Sequence, residues 1–166
     1  SLSNLSFSLD PLPNNTTHTH THTYTHTHTH SKYRYAFVVT GESCVPSIET
    51  RDFESIFEEE EVVRDLDIDA NPLRRVFVQS ANTFSFGAIV PSAHPKGVEA
   101  RLKITNSSKV RSTIEFSVSQ DNDGEDAFTV TPSKQEFPPH EHRFVTVRFD
   151  PKKIRSYSSR FEAKIV

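Results

Sequence analysis

From Arg75 to Val166 the chain is written in short runs that change polarity at every step. In EARLKIT, Ala100, Leu102 and Ile104 fall on one side while Arg101, Lys103 and Thr105 fall on the other. TIEFSVS repeats the pattern with Ile114, Phe116 and Val118, FVTVRFD with Val145, Val147 and Phe149, and RFEAKIV with Phe161, Ala163 and Ile165. Val76 with Val78, Phe84 with Phe86 and Ala88, and Phe128 with Val130 read the same way. A period of two places successive side chains on opposite faces of a strand, so each run has one wet face and one dry face. Turn signals separate the runs: Pro91, Pro95 and Gly97, the polar DNDGED at 121–126, and Pro132. Such spacing predicts an all-β fold, an immunoglobulin-like antiparallel β-sandwich whose two sheets meet at about 10 Å. With 13 Phe and no Trp, the core should be filled largely by Phe rings. Each buried Val, Leu, Ile or Phe contributes roughly 1.5–3 kcal/mol, and the inward residues suffice for one core.

The stretch 52–69, DFESIFEEEEVVRDLDID, breaks this pattern. Phe53, Ile56 and Phe57 have i, i+3, i+4 spacing behind a possible N-cap at Asp52, which predicts a helical turn or two. Leu66 and Ile68 alternate with aspartates, as in an edge strand. The four consecutive glutamates at 58–61 read as a solvated face of an acidic surface insertion, since Ca²⁺ loops need spaced ligands and a Gly turn. Residues 49–69 carry ten acids and two bases, whereas 70–166 carry fifteen bases and ten acids. The basic excess is spread along the strands and forms no stripe, which argues against nucleic acid as a partner.

Residues 1–32 have a different composition. Between Thr16 and His30 the sequence alternates Thr with His18, His20, His22, His26, His28 and His30, interrupted by Tyr24. Neither face of such a strand is apolar, so nothing offsets a backbone ordering cost of roughly 1–2 kcal/mol per residue. The segment is therefore expected to be a disordered low-complexity tail. Its six histidines are weak metal candidates, because a regular alternation fixes no ligand geometry. A CA-dinucleotide repeat read in frame also yields alternating Thr and His, so the tract reads as a translated microsatellite or a neutral linker as well. Residues 33–40 then alternate as a short strand that Gly41 ends. Residues 33–44 are read as the terminal strand and linker of a preceding module, and 45–166 as the sandwich itself.

In their order, the runs FSFGAIV, ARLKITNSSKVRSTIEFSV, FTVTPSKQEFPPHEHRFVTVRFDP and YSSRFEAKIV resemble the immunoglobulin-like ASH domain, a relative of the major sperm protein fold. The matching positions are Phe86 with Gly87, Asn106 with Ser108, Ile114 with Phe116, Phe128 with Pro132, Pro139 with Glu141, and Val147 with Phe149 and Pro151. His140 stands where that pattern commonly has Gly. Physical roles attach to several of these residues independently. Gly87 permits a backbone shape that side chains forbid, Asn106 can close a turn by bonding the backbone two residues on, and Pro132 and Pro151 end strands. The arrangement is similar to the Hydin-like proteins of the ciliary axoneme, which string many such modules together. The resemblance implies a scaffold of the central apparatus, acting in cilium assembly and motility. Its partners would be other axonemal proteins and neighbouring modules, in the cytoplasm and cytoskeleton.

The chemistry of catalysis is not legible here. Cys44 is the single cysteine, with no evident His partner, and suits a reducing compartment. His140, Glu141 and His142 span three positions, with no further ligand downstream to complete a tetrahedral set, and read as a turn entering a strand. G-x-S-x-G and phosphate-loop signatures are absent, so neither an enzyme nor a cofactor is expected. No apolar run reaches the roughly 18–20 residues of a membrane span, so no membrane partner is expected. A chain without Met reads as a piece of a longer parent. The alternative function is a stand-alone peptide-recognition module of the major-sperm-protein type, whose basic strands would read an acidic motif.

Overall fold

The computed structural model describes residues 3–8, 18–22, 38–120 and 127–166. In chain order the elements are β1 (Ser3–Ser8), β2 (His18–His22), β3 (Val39–Ser43), α1 (Phe53–Ile56), β4 (Val62–Val63) and β5 (Val76–Val78). They continue with β6 (Thr83–Ser85), β7 (Val98–Thr105), β8 (Ser112–Gln120), β9 (Phe128–Thr131), β10 (Lys134–Phe137), β11 (His142–Phe149) and β12 (Tyr157–Ile165). Two compact units emerge. One comprises Ser1–Pro11 with Pro46–Val166, the other Leu12–Val45.

The larger unit is the expected sandwich. A seven-stranded sheet in the order β10-β8-β12-β1-β6-β5-β4 and a three-stranded sheet in the order β7-β11-β9 enclose one apolar cluster. Most pairings are antiparallel; β1 with β12 and β4 with β5 are parallel. The alternation fixes the registers. Val145 lies opposite Leu102 and Val147 opposite Ala100, while Phe161 faces Val118, Ala163 faces Phe116 and Ile165 faces Ile114. A one-residue slip would turn each of these apolar sets out to water, so the pattern selects its own pairing.

Phe rings fill the interior, as the composition implies. Phe57 stacks on Phe77 at 4.2 Å and on Phe84 at 5.5 Å, and Phe86 meets Phe84 edge-on at 5.0 Å. Phe149 joins this series to Phe86, Phe128 and Tyr157, while Phe116 contacts Phe137 and Phe161. Offset and edge-to-face ring pairs add about 0.5–1.5 kcal/mol each beyond area burial. Helix α1 forms where its spacing predicts, with the Asp52 carboxylate accepting from Ser55 N at 3.0 Å. It delivers Ile56 and Phe57 to the core.

Several expectations need correction. Not every strand has a wet face. Val76, Phe77 and Val78 are all buried, and Phe77, not the two valines, belongs to the central cluster. A three-residue apolar run carries no phase, and β5 is paired on both sides, by β4 and β6. Leu66 and Ile68 form no strand. The Asp67 carboxylate accepts from Asp69 N and Ala70 N and closes a turn there, and the edge strand lies earlier, at Val62–Val63. Segment 134–137, which lies outside the alternating runs, is strand β10 with Phe137 fully buried.

The N-terminal expectation also changes. Within 1–32, which was expected to be disordered throughout, Ser3–Ser8 and His18–His22 are strands. Both are paired through the backbone to other strands. β1 has a neighbour on each side, and β2 pairs residue for residue with β3 from His18 opposite Ser43 to His22 opposite Val39. Gly41 lies inside β3 and does not end it. The expected strand at 33–40, the histidines His26, His28 and His30, and the turn at 121–126 lie wholly or partly outside the described residues.

Candidate interaction surfaces

The residues that carry the family likeness occupy one polar knot and several backbone constraints. Asn106 follows β7 and is fully buried. Its Nδ2 donates toward Val110 O at 2.8 Å, Pro138 O at 3.0 Å and Phe137 O at 3.1 Å. Its Oδ1 accepts from Ser108 N at 3.0 Å, the turn two residues on that an Asn favours, and lies 2.7 Å from Ser108 Oγ. The Asn106 backbone N–H donates to Glu141 O at 2.9 Å, and Ile48 bridges to the same residue. One amide thus ties together the β7–β8 turn, the β10–β11 turn and the entry segment near 48.

Around it the backbone takes up special shapes. His140 has φ +57, so the position where Gly is common does use the left-handed region, with His accepting it. Gly87 has φ +74, and a Cβ there would sit 2.9 Å from Leu73 O. Pro132 follows the last residue of β9, and Pro151 is buried two residues after β11 ends. Phe86, Phe116 and Phe149 are core residues. The structure therefore places all eight motif residues in the interior, in turns or at strand ends, and builds none of them into a common surface.

The surface has a different organisation, one that sequence reading missed. Each glutamate of 58–61 meets its own base. Glu58 pairs with Lys103 at 2.7 Å, Glu59 with Arg101 at 2.5 Å, Glu60 with Arg75 and Glu61 with Arg74. Glu60 is the most enclosed, with its side chain 8% exposed and Arg75 Nε at 2.7 Å. Arg75 also donates to Glu99 O and lies 5.9 Å from the Phe84 ring centre, while Arg101 sits 4.2 Å over Phe144. Glu58, Glu59 and Glu61 are exposed, as a surface insertion requires, and the run is at the same time an acidic clasp on Arg74, Arg75 and the basic residues of β7. Its signal was present in the composition, since the acids of 49–69 and the excess bases of 70–166 have opposite sign, but only the tertiary fold brings them together.

The sheet edges are treated unequally. Along β7, Thr105 O accepts from Glu49 N, and α1 packs nearby. Edge strand β10 is short and carries Lys134 and Glu136, which pair across the β8–β10 edge with Glu115 and Arg111. Charges of this kind discourage indiscriminate edge pairing. The Lys134 ammonium, through its hydrogen bond and its charge, holds the Glu115 carboxyl below its ordinary pKa.

His18, His20 and His22 take alternate positions of β2. His140 is exposed in its turn, Glu141 pairs with Arg143 at 2.9 Å, and the His142 ring lies 5.8 Å from Phe144. Among the described residues, no three His, Cys, Asp or Glu side chains are arranged to hold an ion.

Against known proteins, the likeness is distant but extended. The human hydrocephalus-inducing protein homolog is 28% identical over 139 residues, covering 78% of this chain and 3% of that protein. The mouse hydrocephalus-inducing protein is 29% identical over a stretch of the same length and coverage. The chain therefore spans only a small part of the length of these relatives. No family profile matches it, and no solved structure does.

Proposed function

We propose that this chain is part of a non-catalytic scaffold of the ciliary central apparatus, working in cilium assembly and motility through contacts between tandem immunoglobulin-like modules and other axonemal proteins. The observation that carries this reading is the likeness to the hydrocephalus-inducing proteins, which extends across 78% of a chain folded as a β-sandwich. Such a module binds by surface and backbone edge, and weak contacts made in series gain strength from tethering. A tagged parent protein in multiciliated cells should concentrate along the axoneme, with immunogold label at the central pair; an even cytosolic signal would refute the assignment.

The alternative, a module whose basic strands read an acidic peptide, meets an obstacle in the clasp. Arg74, Arg75, Arg101 and Lys103 are already engaged by the chain's own glutamates.

A further inference from the structure

The strand order of the large sheet contains an insertion. Ser3–Ser8 lies between β12 and β6, parallel to the former and antiparallel to the latter. Remove it, and the backbone of β12 from Tyr157 to Glu162 loses its neighbour on that side, as does β6. Neighbouring strands lie about 4.8 Å apart, so the gap is about two strand spacings wide, room for a single extended segment.

The slot and its occupant match residue for residue. Along β12, Tyr157, Ser159 and Phe161 are buried, while Ser158, Arg160 and Glu162 are exposed. Opposite them stand Ser3, Leu5 and Phe7 in the buried register, and Asn4, Ser6 and Ser8 in the exposed one. Leu5 is also in register with Phe84 of β6, which is fully buried. It lies opposite Ser159, a small residue with no exposed surface. Hence the apolar positions of S-N-L-S-F-S coincide with the dry row of the sheet it enters.

The occupant is joined to the rest of its module only through residues 9–45, most of which belong to the separate unit Leu12–Val45. An internal strand of the sheet is therefore supplied by a segment that the residues of the other unit separate in sequence from the rest of its own. We propose that the gap between β12 and β6 is a strand-accepting slot, and that Ser3–Ser8 is an exchangeable occupant which the same segment of a second copy of this chain can replace. Strand exchange of this kind joins copies through backbone ladders, with the alternate Leu and Phe providing selectivity. It deepens the scaffold reading and rests on it only for its biological setting, because the slot can be tested without axonemes.

The test uses the full chain and a fluorescent peptide of residues 1–11 standing in for the second copy's strand. In the full-length variant Leu5→Asp/Phe7→Asp, the tethered strand no longer matches the dry row, so the slot is open. This variant should bind the peptide saturably at one to one, and a peptide carrying the same two substitutions should not bind. The unaltered chain should bind far more weakly, since its own strand competes at an effective concentration on the order of 1 mM, which weakens a 10 µM peptide by about 100-fold. A variant that unfolds cooperatively in urea yet takes up no peptide overturns the proposal, as does equal binding by the unaltered chain. Hydrogen exchange on the unaltered chain is independent of whether the variant folds. Amides of Ser3–Ser8 should exchange together and well before those of β8; exchange of both only at the rate of global unfolding overturns exchangeability.

Discussion

Replacing Asn106 with Ala should be among the most damaging single polar-to-Ala changes in the sandwich. The side chain serves three carbonyls, one backbone N–H and one hydroxyl, all within 3.1 Å, from a position with no exposed surface. Ala leaves these groups behind. Val110 O and Pro138 O lie at partly buried contacts and can regain water, but the bonds to Phe137 O and Ser108 N are buried. A buried group stripped of its partner costs about 1–3 kcal/mol, so two of them with the weakened remainder give about 3–5 kcal/mol. Against a typical total of about 5–15 kcal/mol, that is a large share of the domain's stability. The chain has no Trp, so urea unfolding is best followed by far-UV circular dichroism. Ser108→Ala, which removes only the hydroxyl, should cost about 1 kcal/mol. Asn106→Asp separates the two ends of the amide: it keeps the acceptor for Ser108 but sets a carboxylate against three carbonyls, and should be at least as damaging as Ala at neutral pH. A loss below about 1 kcal/mol for Asn106→Ala, or native stability for Asn106→Asp, would refute the view that this amide holds the turns together.

Other perturbations follow from the same geometry. Glu60→Gln should destabilise by about 1–3 kcal/mol because it strips an enclosed partner from Arg75, whereas Glu59→Gln, an exposed pair, should cost less than about 1 kcal/mol and lose even that in high salt. Equal costs in urea titrations would contradict the burial difference. Gly87→Ala places a Cβ 2.9 Å from Leu73 O at a positive φ and should cost about 1–3 kcal/mol, while Gly41→Ala, with nothing within 4 Å, should be neutral in the same thermal melts. For Glu115, a carboxyl held below its ordinary pKa contributes stability above the unfolded-state value and loses it as pH falls through the folded one. Carboxyl NMR should find it titrating below an ordinary Glu, and Lys134→Ala should raise it; an unmoved titration would remove Lys134 as the cause.

How much of this was legible beforehand depends on the length scale of each signal. Long alternating runs gave β7, β8, β11 and β12 with the right faces, since eight or nine residues of period two leave only one phase. Asp52, Phe53, Ile56 and Phe57 gave the helical turn, because a cap and its spacing are local. Three-residue β5 carried too little pattern to show that both its faces are dry. Strand β10 was hidden because only Phe137 in KQEF is apolar and its partner β8 is distant in sequence. β1 pairs with strands far along the chain and β2 with the next strand, β3, across a gap that no local window spans. Of the motif residues, Phe86, Phe116 and Phe149 lie in the core and Asn106 closes a turn, while the charged surface is made by other residues.

The clasp weighs against binding of an acidic peptide at these bases on quantitative grounds. An acidic peptide arriving at Arg74, Arg75, Arg101 and Lys103 must displace glutamates 58–61, which are held in the same chain. Attachment to the same chain sets an effective concentration on the order of 1 mM, so a peptide with micromolar intrinsic affinity would be weakened by roughly a thousandfold. Each exposed ion pair it formed in exchange would return only about 0–1 kcal/mol, since one such pair is lost for each gained. Binding through these bases therefore has almost no net driving force. An incoming strand meets competition of the same kind from the chain's own Ser3–Ser8, but a slot once vacated has more to offer. A strand entering a vacated slot replaces water on N–H and C=O groups along its whole length and covers apolar rows at the same time. Within this module Arg74, Arg75, Arg101 and Lys103 hold its own acidic insertion in place.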